Sequence, residues 1–520
     1  MNFIKSLFAV TFSSLIFIGC QSNTKIFPDK SKEVVITGQV INRSGYDPKS
    51  IAVIINDVAS GEQLRVVSDF DKDGHFEARF ERFYPQEVLL KYNTIYEVFI
   101  HPGDSLHIKI DAQKQGTLED RFHAISFSGN SVEENEQLTK FNGWFSPIKS
   151  RKSKNRIAES RYNPERYMQF RDSLRNSYHQ YRTEFVKKNK VSQTINTWIY
   201  NEIEEDFFYN MWFYPIIHRK LNNYPSDWDV PVSYYDFYSK ANITLESLSN
   251  AELTRPFALS YYSCYIRKKI ESELMIKGLV QDTIFSDGRK GHLWKVNNDS
   301  IIIDGIKKYT AEGLLRQLVF NLFFRIKLRQ DMNTDFFEKN SSLIAQEIKE
   351  PFLVIPLNKL YQDINEIAKN PKYNGKPLII DSENTPGGDI LKHIVESNKG
   401  KVIYIDCWAT CCGPCIAEMP YSKKLMSELK DEPVSFVFLS FNSPMKDAQI
   451  KMNKLNMGGT HYFLNMDQSN HLQKVLSFSA FPNYILINKK GLVVKSGSEL
   501  RPGIKETKDI IMKLINQDGK

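Results

Sequence analysis

Residues 405–415 read IDCWATCCGPC, and this short stretch contains four of the six cysteines in a chain of 520 residues. The four are Cys407, Cys411, Cys412 and Cys415, and the other two are Cys20 and Cys264. A cluster of this kind can bind a metal, form a structural disulfide or act as a reactive redox pair. The sequence on either side favours one of these uses.

The spacing of Cys412 and Cys415 favours a redox pair at the junction of a strand and a helix. KVIYIDCW (401–408) is an apolar strand, and GPCIAEMPYSKKLMSELK (413–430) has helical spacing. Cys412 is then expected at the helix N-terminus, where free N–H groups and the helix dipole lower the pKa of a thiol. Cys415 follows one turn later, where it can attack a mixed disulfide on Cys412. Pro414 is typical of a first helical turn.

Asp406 stands at the end of the predicted strand, among apolar neighbours. A carboxylate buried beneath the cysteine pair would have a raised pKa, and it could accept the proton that Cys415 loses as it attacks. The alternative is a solvated carboxylate at a strand end. The apolar neighbours favour the buried carboxylate, so Asp406 is predicted to assist proton transfer.

A zinc site is the main alternative for the cluster, because Cys-x-x-Cys is half of such a site and Cys407 and Cys411 add two sulfurs. No second Cys-x-x-Cys or Cys/His pair occurs at the spacing of a zinc ribbon or finger. The sequence therefore predicts no metal and no other cofactor. Cys264 lies in an apolar context and is predicted to be a buried core residue.

Further from the cluster, the sequence pattern divides the chain. Short β-rich runs fill residues 33–111, helical spacing dominates 130–365, and strands alternate with helices after the Gly/Pro-rich linker NPKYNGKP (370–377). The fold is predicted to be multidomain. The predicted segments are a signal peptide at 1–19, a lipid-anchored tether at 20–32, an all-β sandwich at 33–115, an α-helical domain at 116–369 and an α/β domain at 370–520.

The turn DFDKDGHFE (69–77) has aspartates in the order of an EF-hand calcium loop. The twelfth loop position is Phe80 rather than Glu, and the flanking sequence is typical of strands. We therefore predict a β-hairpin closed by Asp73–Gly74.

The N-terminus predicts export and anchoring. MNFIK carries a positive charge, and LFAVTFSSLIFI has the length of a signal-peptide core. Cys20 follows Gly19 as in a bacterial lipoprotein cleavage box, so Cys20 is predicted to be lipidated. The alternative is an ordinary signal peptide cleaved near a cysteine. No later run is apolar enough for a transmembrane helix, so the chain is predicted to be a periplasm-facing lipoprotein, with Gln21 favouring the outer membrane.

The distribution of charge predicts that nucleic acid is not a partner. The formal net charge of +8 is spread over the whole chain. No run of Lys and Arg is long enough to form a basic patch.

The motif D-x-W-A-x-x-C-G-P-C, with Asp406, Trp408, Ala409 and Cys412 to Cys415, resembles that of thioredoxin. Pro420 lies where thioredoxins kink their first active-site helix. FPNYILINKKG (481–491) resembles their cis-proline loop and places the cis-proline at Pro482. The run C-x-x-E-M-P, with Glu418, resembles TlpA-like membrane-tethered thiol–disulfide oxidoreductases. The β region resembles the N-terminal modules of Bacteroidetes TlpA-like lipoproteins.

This resemblance covers about residues 375–517 and implies a thioredoxin-like domain with a redox-active disulfide between Cys412 and Cys415. It implies that Trp408 packs the site and that Pro482 shapes a groove for protein disulfide substrates. The pair Gly413 and Pro414 resembles reducing members of the family. A reductase would need an electron donor, for which a thiol-relaying membrane protein is expected.

Two positions depart from the family. Cys411 replaces the usual Trp and is predicted to be a spectator or regulatory thiol, the alternative being a vicinal disulfide with Cys412. Phe481 is a bulky residue before the cis-proline. The Pro-x-x-x-Thr-x-x-Cys context of a peroxiredoxin is missing, which disfavours a peroxidase.

The sequence therefore predicts an extracytoplasmic, membrane-anchored thiol–disulfide oxidoreductase that reduces protein disulfides. The alternative is a binding or assembly lipoprotein in which the redox domain is accessory, because most of the chain lies outside that domain.

Overall fold

The fold is that of a computed structural model of the chain. The structure describes residues 30–114, 118–149, 152–225, 228–241, 243–284, 290–296, 298–331, 334–369, 377–410, 412–441, 443, 448, 452, 455–478 and 480–517. The predicted signal peptide, Cys20, Cys411 and nearly all of the predicted linker lie outside the described residues.

Eight strands form two four-stranded sheets in the N-terminal part. They are β1 (Lys32–Ile41), β2 (Ser50–Asp57), β3 (Glu62–Asp69), β4 (His75–Arg82), β5 (Gln86–Tyr92), β6 (Thr94–Ile100), β7 (Ser105–Asp111) and β8 (Ile125–Gly129). The strand orders are β4-β1-β7-β8 and β3-β2-β5-β6. The two sheets share one apolar core, and β8 extends the first sheet past residue 115.

Buried and partly exposed residues alternate along β1, and this pattern explains how the strand packs. Val34, Ile36 and Val40 are buried on one face of the strand, as the twofold period of a strand requires. Gly38 lies in the same row, where an added Cβ atom would come within 2.2 Å of the carbonyl oxygen of Ile108. A side chain at Gly38 would therefore force β1 away from β7.

The predicted β-hairpin around the turn at residues 69–77 is wrong, because β3 and β4 do not pair with each other. The turn exists, with φ of 83° at Gly74, and Asp71 accepts hydrogen bonds from the N–H groups of Asp73 and His75 at 2.9 and 2.8 Å. However, β3 and β4 are edge strands of different sheets. The turn therefore carries the chain from one sheet to the other, because each strand finds its ladder partner elsewhere.

Twelve helices fill most of the described part of residues 118–369. They are α1 (Leu118–His123), α2 (Val132–Lys149), α3 (Lys152–Arg161), α4 (Pro164–Asn189), α5 (Gln193–Leu221), α6 (Ala251–Ser260), α7 (Arg267–Ile276), α8 (Asn298–Tyr309), α9 (Leu314–Asp331), α10 (Thr334–Lys339), α11 (Ser341–Glu347) and α12 (Pro351–Lys369). A π-helical turn, Tyr261–Ile266, joins α6 to α7, and 3₁₀ helices occupy Val232–Lys240 and Glu246–Ser249. The antiparallel pair β9 (Val280–Ile284) and β10 (Lys290–Trp294) was not predicted.

The long helix α5 shows why this region is helical. Ser192 caps its N-terminus by accepting from the N–H of Ile195 at 3.3 Å. Ile195, Trp198 and Ile199 are buried at helical spacing. Half of the aromatic residues of α5 are also buried, namely Trp198, Phe207, Phe208 and Tyr214.

Buried polar contacts join the helices to the second sheet. The side chain of Asn135 in α2 bonds both the N–H and the carbonyl oxygen of Phe99 in β6, each at 2.8 Å. The indole N–H of Trp198 donates to the carboxylate of Glu87 in β5. These contacts dock α2 and α5 onto β5 and β6.

The C-terminal part is a three-layer, thioredoxin-like α/β domain. Its sheet has the order β11-β14-β13-β12-β15-β16, with β15 and β16 antiparallel to their neighbours. The strands are β11 (Leu378–Ile380), β12 (Val402–Trp408), β13 (Val434–Ser440), β14 (Thr460–Phe463), β15 (Asn483–Ile487) and β16 (Val493–Gly497). The helices are α13 (Gly387–Ser397), α14 (Gly413–Glu428), α15 (Met466–Val475) and α16 (Lys505–Asn516), and a 3₁₀ turn spans Ser498–Leu500.

Each face of this sheet carries its own core. Helices α14 and α16 cover one face, and α13 and α15 cover the other. Helix α14 also lies against α9 of the helical part. Within the described part of the chain, no helix combines the length and the apolar character needed to cross a membrane.

Candidate active site

A disulfide joins Cys412 to Cys415, with a Cα–Cα distance of 5.3 Å. The two sulfurs have different environments, because Cys412 is half-buried and Cys415 is fully buried with 0% exposure. A reagent in solution therefore meets the Cys412 side of the bond.

The strand-to-helix junction holds Cys412 at the N-cap of α14, as predicted. Its sulfur accepts a hydrogen bond from the N–H of Cys415 at 3.2 Å. The turn before it is fixed by the Cys412 N–H, which donates to the carbonyl oxygen of Ala409 at 3.0 Å. Gly413 and Pro414 form the first helical turn. After reduction, the same N–H group and the helix dipole would stabilise a thiolate on Cys412.

Asp406 is buried with 1% exposure, so the alternative of a solvated carboxylate is wrong. Burial raises its pKa to about 8, and the hydroxyl of Ser422, which donates to Oδ2 at 3.1 Å, opposes that rise. Asp406 alternates with Tyr404 and Trp408 along β12 and therefore lies on the sheet face that α14 covers. Asp406 and Cys415 thus belong to the same side of the sheet.

Aromatic and charged groups surround this carboxyl. Tyr484 is the cross-strand partner of Asp406, and the Tyr404 hydroxyl donates to the carbonyl oxygen of Leu500 at 2.7 Å. The charge of Glu418 raises the pKa of Asp406 further. Glu418 itself is paired with Arg501 at 3.1 Å.

Three of these neighbours, Ser422, Tyr484 and Arg501, were not predicted from the sequence. One signal for Ser422 was available, since it stands two helical turns after Cys415 and therefore on the same helix face. Tyr484 and Arg501 come from distant segments, and no local pattern marks them.

Trp408 is buried in the same core as Cys415. The peptide bond between Phe481 and Pro482 is cis, at the position that the sequence predicts. The antiparallel register pairs Cys407 with Asn483, so Pro482 lies at the end of the sheet where β12 runs into the disulfide turn.

Phe481, the bulky residue before Pro482, packs against Phe441 and Phe478 at ring-centroid distances of 5.3 and 5.6 Å. It is half-buried. Its ring therefore forms an aromatic cluster next to the cis-proline.

The remaining described cysteines are free. Cys407 is buried on the opposite face of the sheet from Asp406, and burial raises the pKa of its thiol. Cys264 is half-buried rather than buried as predicted. Among the described residues, only Asp71, Asp73 and His75 group as metal-type ligands, within 4.8 Å of one another. All three are exposed, and Asp71 is hydrogen-bonded within its own turn.

Comparisons with known proteins concern the C-terminal part. Residues 385–511 match the Redoxin family. Over 97 residues the chain is 29% identical to thiol-disulfide oxidoreductase ResA of Halalkalibacterium halodurans. The aligned segment covers 19% of this chain and 53% of that protein. Over 97 residues it is 30% identical to ResA of Bacillus anthracis, covering 19% of this chain and 54% of that protein. The chain thus spans about half the length of the curated relatives it matches.

Among solved structures, the thioredoxin domain of a thiol-disulfide oxidoreductase from Bacteroides vulgatus is 23% identical, with a TM-score of 0.21. The match covers 23% of this chain and 84% of that chain. The Redoxin match includes Asp406, both sulfurs of the disulfide and Pro482. The C-terminal part is therefore a Redoxin domain whose relatives are named thiol–disulfide oxidoreductases.

Proposed function

We propose that the protein is an extracytoplasmic, membrane-anchored thiol–disulfide oxidoreductase that reduces protein disulfides. The observation that carries this proposal is the unequal exposure of the two sulfurs, together with a buried carboxyl on the same side of the sheet. Cys412 is half-buried at a helix N-cap, while Cys415 and Asp406 are both buried on the α14 side of the sheet. Redoxin relatives named for this activity support it.

In the proposed reaction the reduced protein starts with a thiolate on Cys412. This thiolate attacks one sulfur of a substrate disulfide, whose S–S bond breaks and releases the first substrate thiolate. Cys415 then gives its proton to the Asp406 carboxylate and attacks the Cys412 sulfur. The Cys412–Cys415 disulfide forms, the second substrate thiolate leaves, and the substrate has gained two electrons.

The supporting residues have structural roles in this proposal. Trp408 packs beneath the cysteine pair. Gly413 and Pro414 begin α14. Gly413 has no side chain that could obstruct the turn, and the N–H that Pro414 lacks would have no helical partner in the first turn. Pro482 shapes the groove in which the substrate chain would lie.

The protein is further proposed to be a TlpA-like lipoprotein of the Bacteroidetes type, anchored through a lipid on Cys20 and facing the periplasm. The outer membrane is the favoured location. An electron donor, a thiol-relaying membrane protein, would regenerate the dithiol. The proposed layout is a signal peptide (1–19), a tether (20–32), a β-sandwich (33–115), a helical domain (116–369) and the thioredoxin-like domain (370–520).

The test is the reduction potential of the Cys412–Cys415 pair, measured by equilibration with glutathione buffers. A value near about −270 mV indicates a reductant that needs a donor, and one near about −120 mV indicates an oxidant. The variant Cys411→Trp restores the usual family residue and shows how far Cys411 alters the potential. Absence of a reversible two-electron couple would overturn the proposal.

A cavity outside the redox domain favours binding as a second candidate function. It has a volume of about 190 Å³, lies between β6, α2 and α5, and is lined by Tyr96, Phe145, Lys149 and Glu202 among others. Its lining combines the rings of Tyr96, Phe122 and Phe145 with polar side chains and the Lys149–Glu202 ion pair, and apolar walls with a few placed polar groups are typical of small-ligand sites. The double variant Cys412→Ser/Cys415→Ser separates the two candidates, because a binding phenotype survives it and a redox phenotype does not.

A further inference from the structure

The carboxyl of Asp406 has one protein donor within the described part of the chain. The Ser422 hydroxyl donates to Oδ2 at 3.1 Å, and Oδ1 is buried without a hydrogen-bond partner. Both residues are almost fully buried, with exposures of 1% and 0%. Ser422 lies two turns after Cys415 on α14, so the helix presents the resolving sulfur and the hydroxyl to the same strand.

We propose that Ser422 is a positioning residue, whose hydroxyl fixes the Asp406 carboxyl, favours its ionised form and so sets the pH at which Cys415 resolves a mixed disulfide. The inference rests on the proposed function and deepens it. Ser422 touches neither sulfur in this scheme and acts only through Asp406.

The chemistry requires a base that is ionised before the step. Cys415–SH and the Asp406 carboxylate become the Cys415 thiolate and the carboxylic acid, and the thiolate attacks the Cys412 sulfur of the mixed disulfide. The Cys412–Cys415 bond forms, and the bond from Cys412 to the substrate breaks. The substrate sulfur leaves as a thiolate and takes a proton from solvent, while Asp406 later returns its proton to solvent.

The Ser422 hydroxyl and the buried environment have opposite effects on the ionisation of Asp406. A buried carboxylate loses its hydration, so burial favours the neutral acid. A hydroxyl that donates to the charged oxygen favours the ionised form. The other titratable or charged groups around the carboxyl are Tyr404, Cys407, Glu418, Tyr484 and Arg501. Of these, Glu418 opposes ionisation of Asp406, although its carboxylate is paired with Arg501. The Ser422 hydroxyl is the group that lowers the pKa of Asp406 against burial and against that charge.

The test follows the resolving step with a small aromatic disulfide, dithiobisnitrobenzoate, and the reduced full chain. The first equivalent of nitrothiobenzoate reports attack by Cys412, and the second reports resolution by Cys415. Release by the double variant Cys412→Ser/Cys415→Ser is subtracted, because it measures the other thiols. The rate of the second phase is recorded from pH 5 to pH 10.

We expect Ser422→Ala to raise the pH midpoint of the second phase by about one unit or more, since a hydrogen bond to a charged group contributes about 1.5–3 kcal/mol and one pKa unit is about 1.36 kcal/mol. Ser422→Thr retains the hydroxyl and should keep the wild-type midpoint. Ser382→Ala is the matched control, because Ser382 is a buried serine two residues after β11, the strand at the far edge of the same sheet. It should leave the midpoint unchanged.

The substitution Asp406→Asn separates positioning from general destabilisation. In that background Ser422→Ala should have no further effect on the pH profile. A second measurement needs no turnover: the infrared carboxyl band that is absent in Asp406→Asn should titrate at higher pH in oxidised Ser422→Ala than in wild type.

Superimposable midpoints for wild type and Ser422→Ala, in both measurements, would overturn the inference. The proposed function fails separately, if the wild type itself releases no second equivalent after the subtraction. If the reaction has two phases and Ser422→Ala has the same pH midpoint as wild type, only the proposed role of Ser422 is overturned and the proposed function stands.

Discussion

Replacing Asp406 by Asn should stabilise the oxidised protein at alkaline pH. Burial raises the pKa of Asp406 from 3.8 to about 8, so between these pH values the folded protein holds a proton that the unfolded chain releases. The folded state then binds more protons than the unfolded state, and the free energy of unfolding falls as the pH rises. At about 1.4 kcal/mol per pKa unit, the loss approaches an upper limit of about 6 kcal/mol above pH 8.

Asn cannot ionise, so the variant avoids this loss. Wild type and Asp406→Asn should have similar free energies of unfolding near pH 4, and the variant should be more stable by several kcal/mol at pH 9. The assay is urea unfolding of the oxidised chain at a series of pH values. Hydrogen exchange of peptides from β12 and β13 isolates the transition of the C-terminal domain.

The matched control is Asp431→Asn, which removes an exposed carboxylate from the loop between α14 and β13. It should change stability little at any pH. A constant difference between wild type and Asp406→Asn from pH 4 to pH 9 would refute the reasoning, because it would mean that the buried carboxyl is not titrating.

Three further predictions concern other side chains. Cys415→Ser should trap a mixed disulfide between Cys412 and an added disulfide protein on a non-reducing gel, whereas Cys412→Ser should trap none; equal trapping would reverse the proposed roles. Cys407 is buried, and its thiol pKa is raised, so mass spectrometry should find it alkylated by iodoacetamide only after denaturation. Arg171 is 3% exposed and pairs with Asp206 at 2.7 Å, so Arg171→Met should lower the urea-derived free energy of unfolding by about 3 kcal/mol. The Lys149 ammonium also lies 3.5 Å from Asp206, so no loss would show that Lys149 alone neutralises Asp206.

The local parts of the candidate site could be predicted from the sequence. The positions of Cys412 and Asp406 follow from a strand that is followed at once by a helix. The strand pattern and the helix pattern lie within a few residues of each other in the sequence. For these two residues short-range backbone geometry determines the position. The cis peptide bond before Pro482 lies where the resemblance to thioredoxin places it.

Features that depend on distant partners could not be predicted in the same way. The three residues of β11 (Leu378–Ile380) pair with β14 far along the chain, and so short a strand carries almost no periodicity. The turn at Gly74 was identified, but the sheet joined by β4 was not, because the pairing of β4 with β1 is set by the core between the sheets. Ser422 was not predicted because its partner, Asp406, lies in a different element, and only the packing of α14 on β12 brings the two side chains together.

The unequal exposure of the two sulfurs has a kinetic consequence for a protein that works as proposed. Only Cys412 can be reached from solvent, so the electron donor and the substrate must both react at the same atom. They cannot occupy it together, and no complex of all three partners should form. Steady-state turnover should therefore alternate between an oxidised and a reduced protein, giving parallel lines in double-reciprocal plots as the donor concentration is varied. Lines that change slope with the donor concentration would instead indicate that the donor and the substrate bind together.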